Sequence, residues 1–242
     1  MAEARRQIVL MGTGGHAKVI VELLQADAAN ELVGCVAPES AGSPRIAGLP
    51  WLGDDAYLAA LKLRGIQHAF VAVGDNRLRR KLCEYARAQG MQLVNAISPQ
   101  ANVSPTARLG GNIAIMHGAN IGPDTVVEDG VVINSNASVD HDGHLSPYCH
   151  IGPGATLAGC VHVGEESFVA TGSSVIPGQR IGDRALVGAG SVVIRSIPAN
   201  SIAYGVPARI RTRANNALVV GWTPVTSLRD VKTNVPPQRK AG

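Results

Sequence analysis

The sequence predicts a small parallel α/β domain followed in the same chain by a parallel β-helix. Three observations carry this. Strand-like apolar runs alternate with helical ones over residues 7–97. The first such run leads straight into a glycine-rich turn and then an apolar helix. From Val103 onward an aliphatic residue recurs at every sixth position, without a break, as far as Val193.

The amino-terminal half begins with a buried strand, residues 7–11 (QIVLM), followed by Gly12-Thr13-Gly14-Gly15-His16-Ala17-Lys18 and the helix VIVELLQAD. Strand, glycine turn and helix make up the context of a GxGxxA phosphate turn, in which backbone N–H groups at a helix N-terminus face an anion. A tight βα turn with no ligand has the same sequence. A second strand spans 31–37, and a Gly/Pro-rich connection follows, read as surface. A helix over 55–63 leads to the strand 68–73. That strand ends in Gly74-Asp75-Asn76, where a basic helix (77–89) begins, and a further strand covers 92–97. Alternating strands and helices imply a parallel sheet with helices on its faces. Both glycine turns then lie at carboxyl ends of strands and line one cleft. Residues 98–101 (SPQA) are read as the connector between domains.

The repeat supplies sixteen hexads in phase. Position two is often glycine (Gly110, Gly122, Gly152, Gly164, Gly182, Gly188), and position five is usually small. A period of six marks a parallel β-helix, in which each hexad is a short strand plus a corner and is stabilised by stacking on its neighbours. The expectation is that position-two glycines relieve the dihedrals of the corners. Three hexads close one coil, so the run builds a prism roughly 25 Å long. Residues 202–208 (IAYGVPA) read as its exit, and residues 213–242 as a tail that is disordered or docks through Trp222.

Composition narrows the function. The net charge is +4, yet aromatics are only 3% and no basic stripe interleaved with aromatics occurs, which argues against a nucleic-acid reader. No apolar stretch is long enough to span a membrane. The opening apolar run is too short for a secretory signal. Cys35, Cys83, Cys149 and Cys160 form no CxxC pair, so a cytoplasmic protein with reduced thiols and no metal site is expected. His144 and His162, 18 residues apart, should stack on one face of the prism. His117 has no evident partner.

Four stretches together resemble one family: GTGGHAKVI, VAVGDNRLR, SVDHDGHLSPYCHIGPGATLAG and YGVPAR. They are similar to the bacterial sugar O- and N-acetyltransferases, which include sialic-acid O-acetyltransferases and the N-acetyltransferases of nucleotide-linked 4-amino sugars. The likeness covers residues 7 to about 212. It implies a Rossmann-like nucleotide-sugar-binding domain (1–98) and a left-handed β-helix acetyltransferase domain (99–212). It also implies acetyl-CoA as donor, a nucleotide sugar as acceptor, and a homotrimer with active sites between subunits.

Attack of an amine on a thioester needs a base for the ammonium proton and a donor for the oxyanion. The resemblance makes His141 the base and Asp142 its orienter. Adjacent residues on a strand point to opposite faces, so the pair meets only at a corner, which Gly143 would permit. The resemblance further assigns His150, Thr171 and Ala189 to acetyl-CoA, with Asn134 near the acceptor sugar. It assigns Gly12, Gly14, Gly15 and His16 to the phosphate and sugar turn, and Gly74, Asp75 and Asn76 to a second nucleotide-side turn. Two departures stand out. The family's aspartate after the second strand is replaced by Ala37-Pro38, with Glu39 as the nearest carboxylate, and its histidine after the last strand by Ser98.

The reading is an acetyl-CoA-dependent N-acetyltransferase for a UDP- or GDP-linked 4-amino-4,6-dideoxyhexose. O-acetylation of a sialic-acid-like sugar is the alternative within the class, and a non-catalytic trimeric scaffold the alternative outside it. An NAD-dependent enzyme would need an acidic residue where Ala37-Pro38 stands.

Overall fold

The structure is a computed structural model that describes residues 5–38 and 46–213. Glu39 and the tail beyond residue 213, with Trp222, lie outside the described residues. Among the described residues, no helix is long and apolar enough to cross a membrane.

Five parallel strands form the first sheet: β1 (Arg6–Met11), β2 (Asn30–Val36), β3 (Trp51–Gly53), β4 (His68–Val71) and β5 (Gln92–Leu93). Their spatial order is β3-β2-β1-β4-β5. Ile8 to Met11 are fully buried, as expected of a central strand covered on both faces. Helices α1 (Gly15–Gln25), α2 (Leu58–Leu63) and α3 (Asn76–Ala88) provide the cover. The chain leaves β1 toward β2 and β3, then returns to place β4 on the other side of β1. The order therefore reverses between β1 and β4, where open α/β sheets bind their ligands.

Two segments differ from expectation. The connection read as plain surface contains β3, whose three residues are too few to show alternation; it pairs with β2 through Cys35 and Trp51. The run 92–97 is not one strand. Gln92–Leu93 stay in the sheet, while Ala96–Ile97 pair with Ala114–Ile115 as the first rung of the solenoid. Asn95 makes the switch, its amide nitrogen donating to the Gly110 carbonyl (2.8 Å) and its oxygen accepting from Ile113 N (2.9 Å). Residues 98–101, read as a connector, form the first corner. There the Ser98 hydroxyl meets His117 Nδ1 at 2.8 Å, which gives His117 its partner.

The solenoid has three parallel faces with a register of 18 residues. The first face stacks Ala114, Val132, His150, Phe168 and Leu186; the second runs from Asn102 to Val193; the third stacks Arg108, Val126, His144, His162 and Arg180. His144 and His162 do stack, ring centroids 5.3 Å apart, with Glu128 on His144 Nε2. The aliphatic residues fill one core from Ile113 to Ala208. Each buried Val, Leu or Ile contributes about 1.5–3 kcal/mol, which stacking alone secures. Residues 201–204 and 209–213 fold back as an antiparallel pair that closes the end.

The position-two glycines do not relieve the corners. Left-handed backbone recurs at position four, every sixth residue from Asn112 (φ 58°) to Gly190 (φ 67°), and Asn, Asp, Tyr, Cys, Glu and Arg hold it as well as glycine. Where position two is glycine, the reason is different, the closeness of the next coil. A Cβ on Gly152 would lie 2.8 Å from Thr171 N and 2.9 Å from the Ala170 carbonyl carbon.

This separates two kinds of glycine. At Gly154, left-handed (φ 63°) with open space around it, alanine should cost about 1–2 kcal/mol and asparagine much less. At Gly152 both should cost about 1–3 kcal/mol or more, through overpacking. Urea unfolding of the four variants checks this; recovery by asparagine at Gly152 would contradict it.

Candidate active site

The sheet domain is fastened to the solenoid by α3, whose basic character has a structural use. Arg87 pairs with Asp129 at 2.6 Å and meets the Tyr148 hydroxyl, and Arg80 reaches Glu165 at 2.6 Å. Arg79 is 1% exposed and aims into the joint. Its Nε donates to the Gly130 carbonyl at 2.7 Å. One terminal nitrogen donates to the carbonyls of Val73 (3.1 Å) and Gly74 (3.0 Å), the other to Asn76 Oδ1 (2.8 Å) and the Tyr148 carbonyl (2.9 Å). Burial lowers its pKa to about 10, so it stays charged at neutral pH. This one side chain ties the turn after β4 to two successive coils.

The outward residues of the first face show where the sheet domain ends. Ala114, Met116 and Val132 pack into the core beneath α1. The next rung is His150, at the edge of that cover. Its Nε2 lies 3.2 Å from Asn134 Nδ2, its ring packs at a tilt against Phe168 (centroids 4.8 Å apart), and it makes a hydrogen bond to the Gly74 backbone. Burial, then Arg79 and His16, hold its pKa well below 6.5, so the imidazole is neutral and accepts from Asn134. His16, in the first turn of α1, is lowered to about 4 by burial and by Arg79, and its Nε2 is buried without a partner.

The turns after β1 and β4 meet across the switch point. Gly12 has φ 107°, and a Cβ there would lie 3.1 Å from both the Ala72 oxygen and Val73. A Cβ on Gly74 would lie 4.0 Å from His16. Gly14 and Gly15 are different, because a Cβ on either would meet nothing within 4 Å. The fold itself does not require glycine there. Asp75 caps α3, accepting from Leu78 N at 2.8 Å. Asn76 is occupied at both ends of its amide, by Arg79 and by the carbonyls of Glu166 and Ser167. Its side chain therefore serves the joint.

His141 stands apart, on the corner between the second and third faces. Its Nδ1 is 2.8 Å from Asp142 Oδ2, and both side chains are more than half exposed. The corner forms because Asp142 itself takes the left-handed conformation (φ 55°), not Gly143. The bond to Asp142, then the charge of Asp140, raise the His141 pKa. The corner is set from below, where the Thr125 hydroxyl donates to the Asp140 carbonyl at 2.9 Å. From above, a Cβ on Gly159 would lie 2.5 Å from His141 Nε2, so glycine leaves room for the ring.

The structure thus gathers Gly12, His16, Gly74, Asn134 and His150, while His141 and Asp142 occupy another corner. Thr171 and Ala189 are exposed and stacked one coil apart, on the corner that follows the His150 face. Sequence reasoning missed Arg79, because one arginine among several on a basic helix carries no mark of its direction. It also missed Gly159, although the 18-residue register places it directly over His141.

Comparison with known proteins agrees with this architecture. Residues 7–86 match the PglD N-terminal domain. A search of curated protein sequences returns no match. Among solved structures, PerB from Caulobacter crescentus, in complex with CoA and GDP-perosamine, is 46% identical. That match covers 85% of this chain and 97% of PerB, with a TM-score of 0.82. The acetyltransferase domain of PglB from Neisseria gonorrhoeae, in complex with acetyl coenzyme A, is 36% identical over 86% of this chain and 100% of that one, TM-score 0.81. WeeI from Acinetobacter baumannii, 21% identical over 84% and 99% of the two chains with a TM-score of 0.61, shares the fold. The chain belongs to the family of bacterial 4-amino-sugar N-acetyltransferases that carry the PglD N-terminal domain, a Rossmann-like domain on a left-handed parallel β-helix.

Replacing Arg79 by methionine should lower stability by at least about 3 kcal/mol, because several buried carbonyls lose their donor. Equilibrium unfolding in urea measures this; a loss below about 1 kcal/mol would mean that the joint does not depend on Arg79.

Proposed function

We propose that the protein transfers the acetyl group of acetyl-CoA to the 4-amino group of a GDP-linked 4-amino-4,6-dideoxyhexose, with His141 as general base, in the cytoplasm. The observation that carries this reading is the exposed His141–Asp142 pair, in a chain 46% identical to a protein crystallised with CoA and GDP-perosamine. That likeness favours GDP over UDP. Acetylation of the amine itself, short of the carrier and the base, follows from family membership.

The sheet edge supports the order in which the acceptor would lie. The carboxyl ends of β2 and β3 border a cavity of about 410 Å³ lined by Pro38, Trp51, Asp54, Asp55 and Ala56. Next along the sheet comes the turn 12–15 at the N-terminus of α1, suited to a diphosphate. Beyond it lies the turn after β4, with Asn134 and His150 on the solenoid. Base, diphosphate and sugar follow the same sequence. The open space around Gly14 and Gly15 fits a ligand approaching the backbone.

His141 would act through Nε2, since Nδ1–H donates to Asp142. It takes the proton as the amine attacks the thioester carbonyl, and returns it to the departing CoA thiolate. His150 and the exposed column of Thr171 and Ala189 would serve the donor. Because His141 stands on the corner between the second and third faces and His150 on the first face, the acceptor groove of one chain would meet the base of a neighbour. A homotrimer with interfacial sites supplies that arrangement.

A thiol-release assay tests the reading with UDP- and GDP-linked 4-amino sugars and a free sialic acid as acceptors. Turnover with the GDP-linked amino sugar is expected, and His141→Ala should lower it at least about a hundredfold. The raised pKa of His141 sets an acid limb above pH 6.5: kcat/KM falls as pH drops through that pKa, and Asp142→Asn should move the limb to lower pH. Gly159→Ala should lower kcat without loss of thermal stability, because only the ring must shift. Turnover of sialic acid alone, or full activity in His141→Ala, would contradict the proposal.

A further inference from the structure

The 18-residue register that places Gly159 over His141 also places Cys160 over Asp142. Cys160 holds a left-handed corner (φ 58°), and its N–H donates to the His141 carbonyl at 2.9 Å, which locks the two corners together. Of the four cysteines, Cys35, Cys83 and Cys149 are buried and Cys160 alone is exposed. The side chains of His141, Asp142 and Cys160 each present one ligand atom, and these atoms lie within 4.8 Å of one another. All three are exposed, so an ion can reach them.

Imidazole, carboxylate and thiolate form a donor set that selects a borderline-soft cation such as zinc over magnesium or calcium. With metal–ligand bonds of about 2.0–2.3 Å, tetrahedral ligands sit roughly 3.5 Å apart. The three exposed ligand atoms, all within 4.8 Å of one another, are within about 1.3 Å of that spacing at their widest. The fourth position would be filled by water. No sequence motif signals this set, because two ligands are adjacent and the third lies one coil later.

We propose that His141, Asp142 and Cys160 form a binding site for a thiophilic divalent cation of the zinc type, and that occupancy inhibits acetyl transfer by engaging the imidazole. Binding at Nε2 removes the lone pair that accepts the proton. Binding at Nδ1 leaves the proton of the neutral ring on Nε2, with the same result. Cys160 joins as the thiolate and releases its proton on binding. The inhibitory part rests on His141 being the base; the metal site does not.

Cobalt(II) titrated into the full chain, with a non-thiol reductant present, is the direct probe. A near-ultraviolet thiolate-to-cobalt band should appear in the wild type and be abolished by zinc. It should be absent from Cys160→Ser and from Cys160→Gly, the latter suited to the left-handed corner. In the acetyl-transfer assay zinc should inhibit the wild type, with both variants at least tenfold less sensitive and fully active without metal. No band in the wild type, a band that survives both replacements, or equal zinc sensitivity would overturn the proposal. The cobalt arm needs neither acetyl-CoA nor acceptor, so a failed transferase reading and a failed metal site give different results.

Discussion

A buried guanidinium holds this molecule in its working shape. Taking Arg79 out of water is tolerable only because carbonyl and amide oxygens from both domains meet its N–H groups. Those oxygens come from the turn after β4, from Gly130 and from Tyr148, so the turn cannot shift without stranding the charge. The surface pairs of Arg80 and Arg87 help with alignment, but exposed pairs are each worth about 0–1 kcal/mol. Burial first, and the positive charge of Arg79 after it, keep His16 and His150 neutral. One residue therefore fixes the joint and adds its charge to the groove beside it.

The second constraint is the register of the solenoid. Each residue has a neighbour 18 positions away on the next coil, so side chains distant in sequence become a column. Gly159 over His141, Cys160 over Asp142, and Ala189 over Thr171 all follow from that number. The columns explain why small residues recur where coils press together, and why the His141 ring has room to stand. They also separate the two halves of the candidate site, since a corner on one edge of the prism cannot reach a rung on another face.

Much of this was readable from the chain. The hexad period specified the β-helix, and the aliphatic ladder from Val103 to Val193 is its core. The glycine turns were found because strand, turn and helix occur in order. What escaped has physical causes. β3 is three residues long and lies in a Gly/Pro-rich stretch, so no alternation develops. The run 92–97 is apolar throughout, and only Asn95 marks where it leaves one sheet for another. Glycine at position two looked like a turn residue, whereas its role is to let the next coil approach. Asp75 and Asn76 stand in a turn that resembles a ligand loop, yet their side chains cap α3 and complete the joint. Side-chain direction, which pattern alone does not carry, decides the last of these.

Subunit complementation tests the central claim, an active site completed by a second copy of the chain, most directly. His141→Ala removes the proposed base, and Gly15→Phe obstructs the turn after β1. Each variant alone should be inactive. When the two are unfolded, mixed equally and reassembled, sites that combine the intact base of one subunit with the intact turn of its neighbour should restore up to about a quarter of wild-type activity (one half times one half). Mixed assemblies as inactive as the separate variants would mean that base and groove belong to the same chain, and the interfacial account would fall.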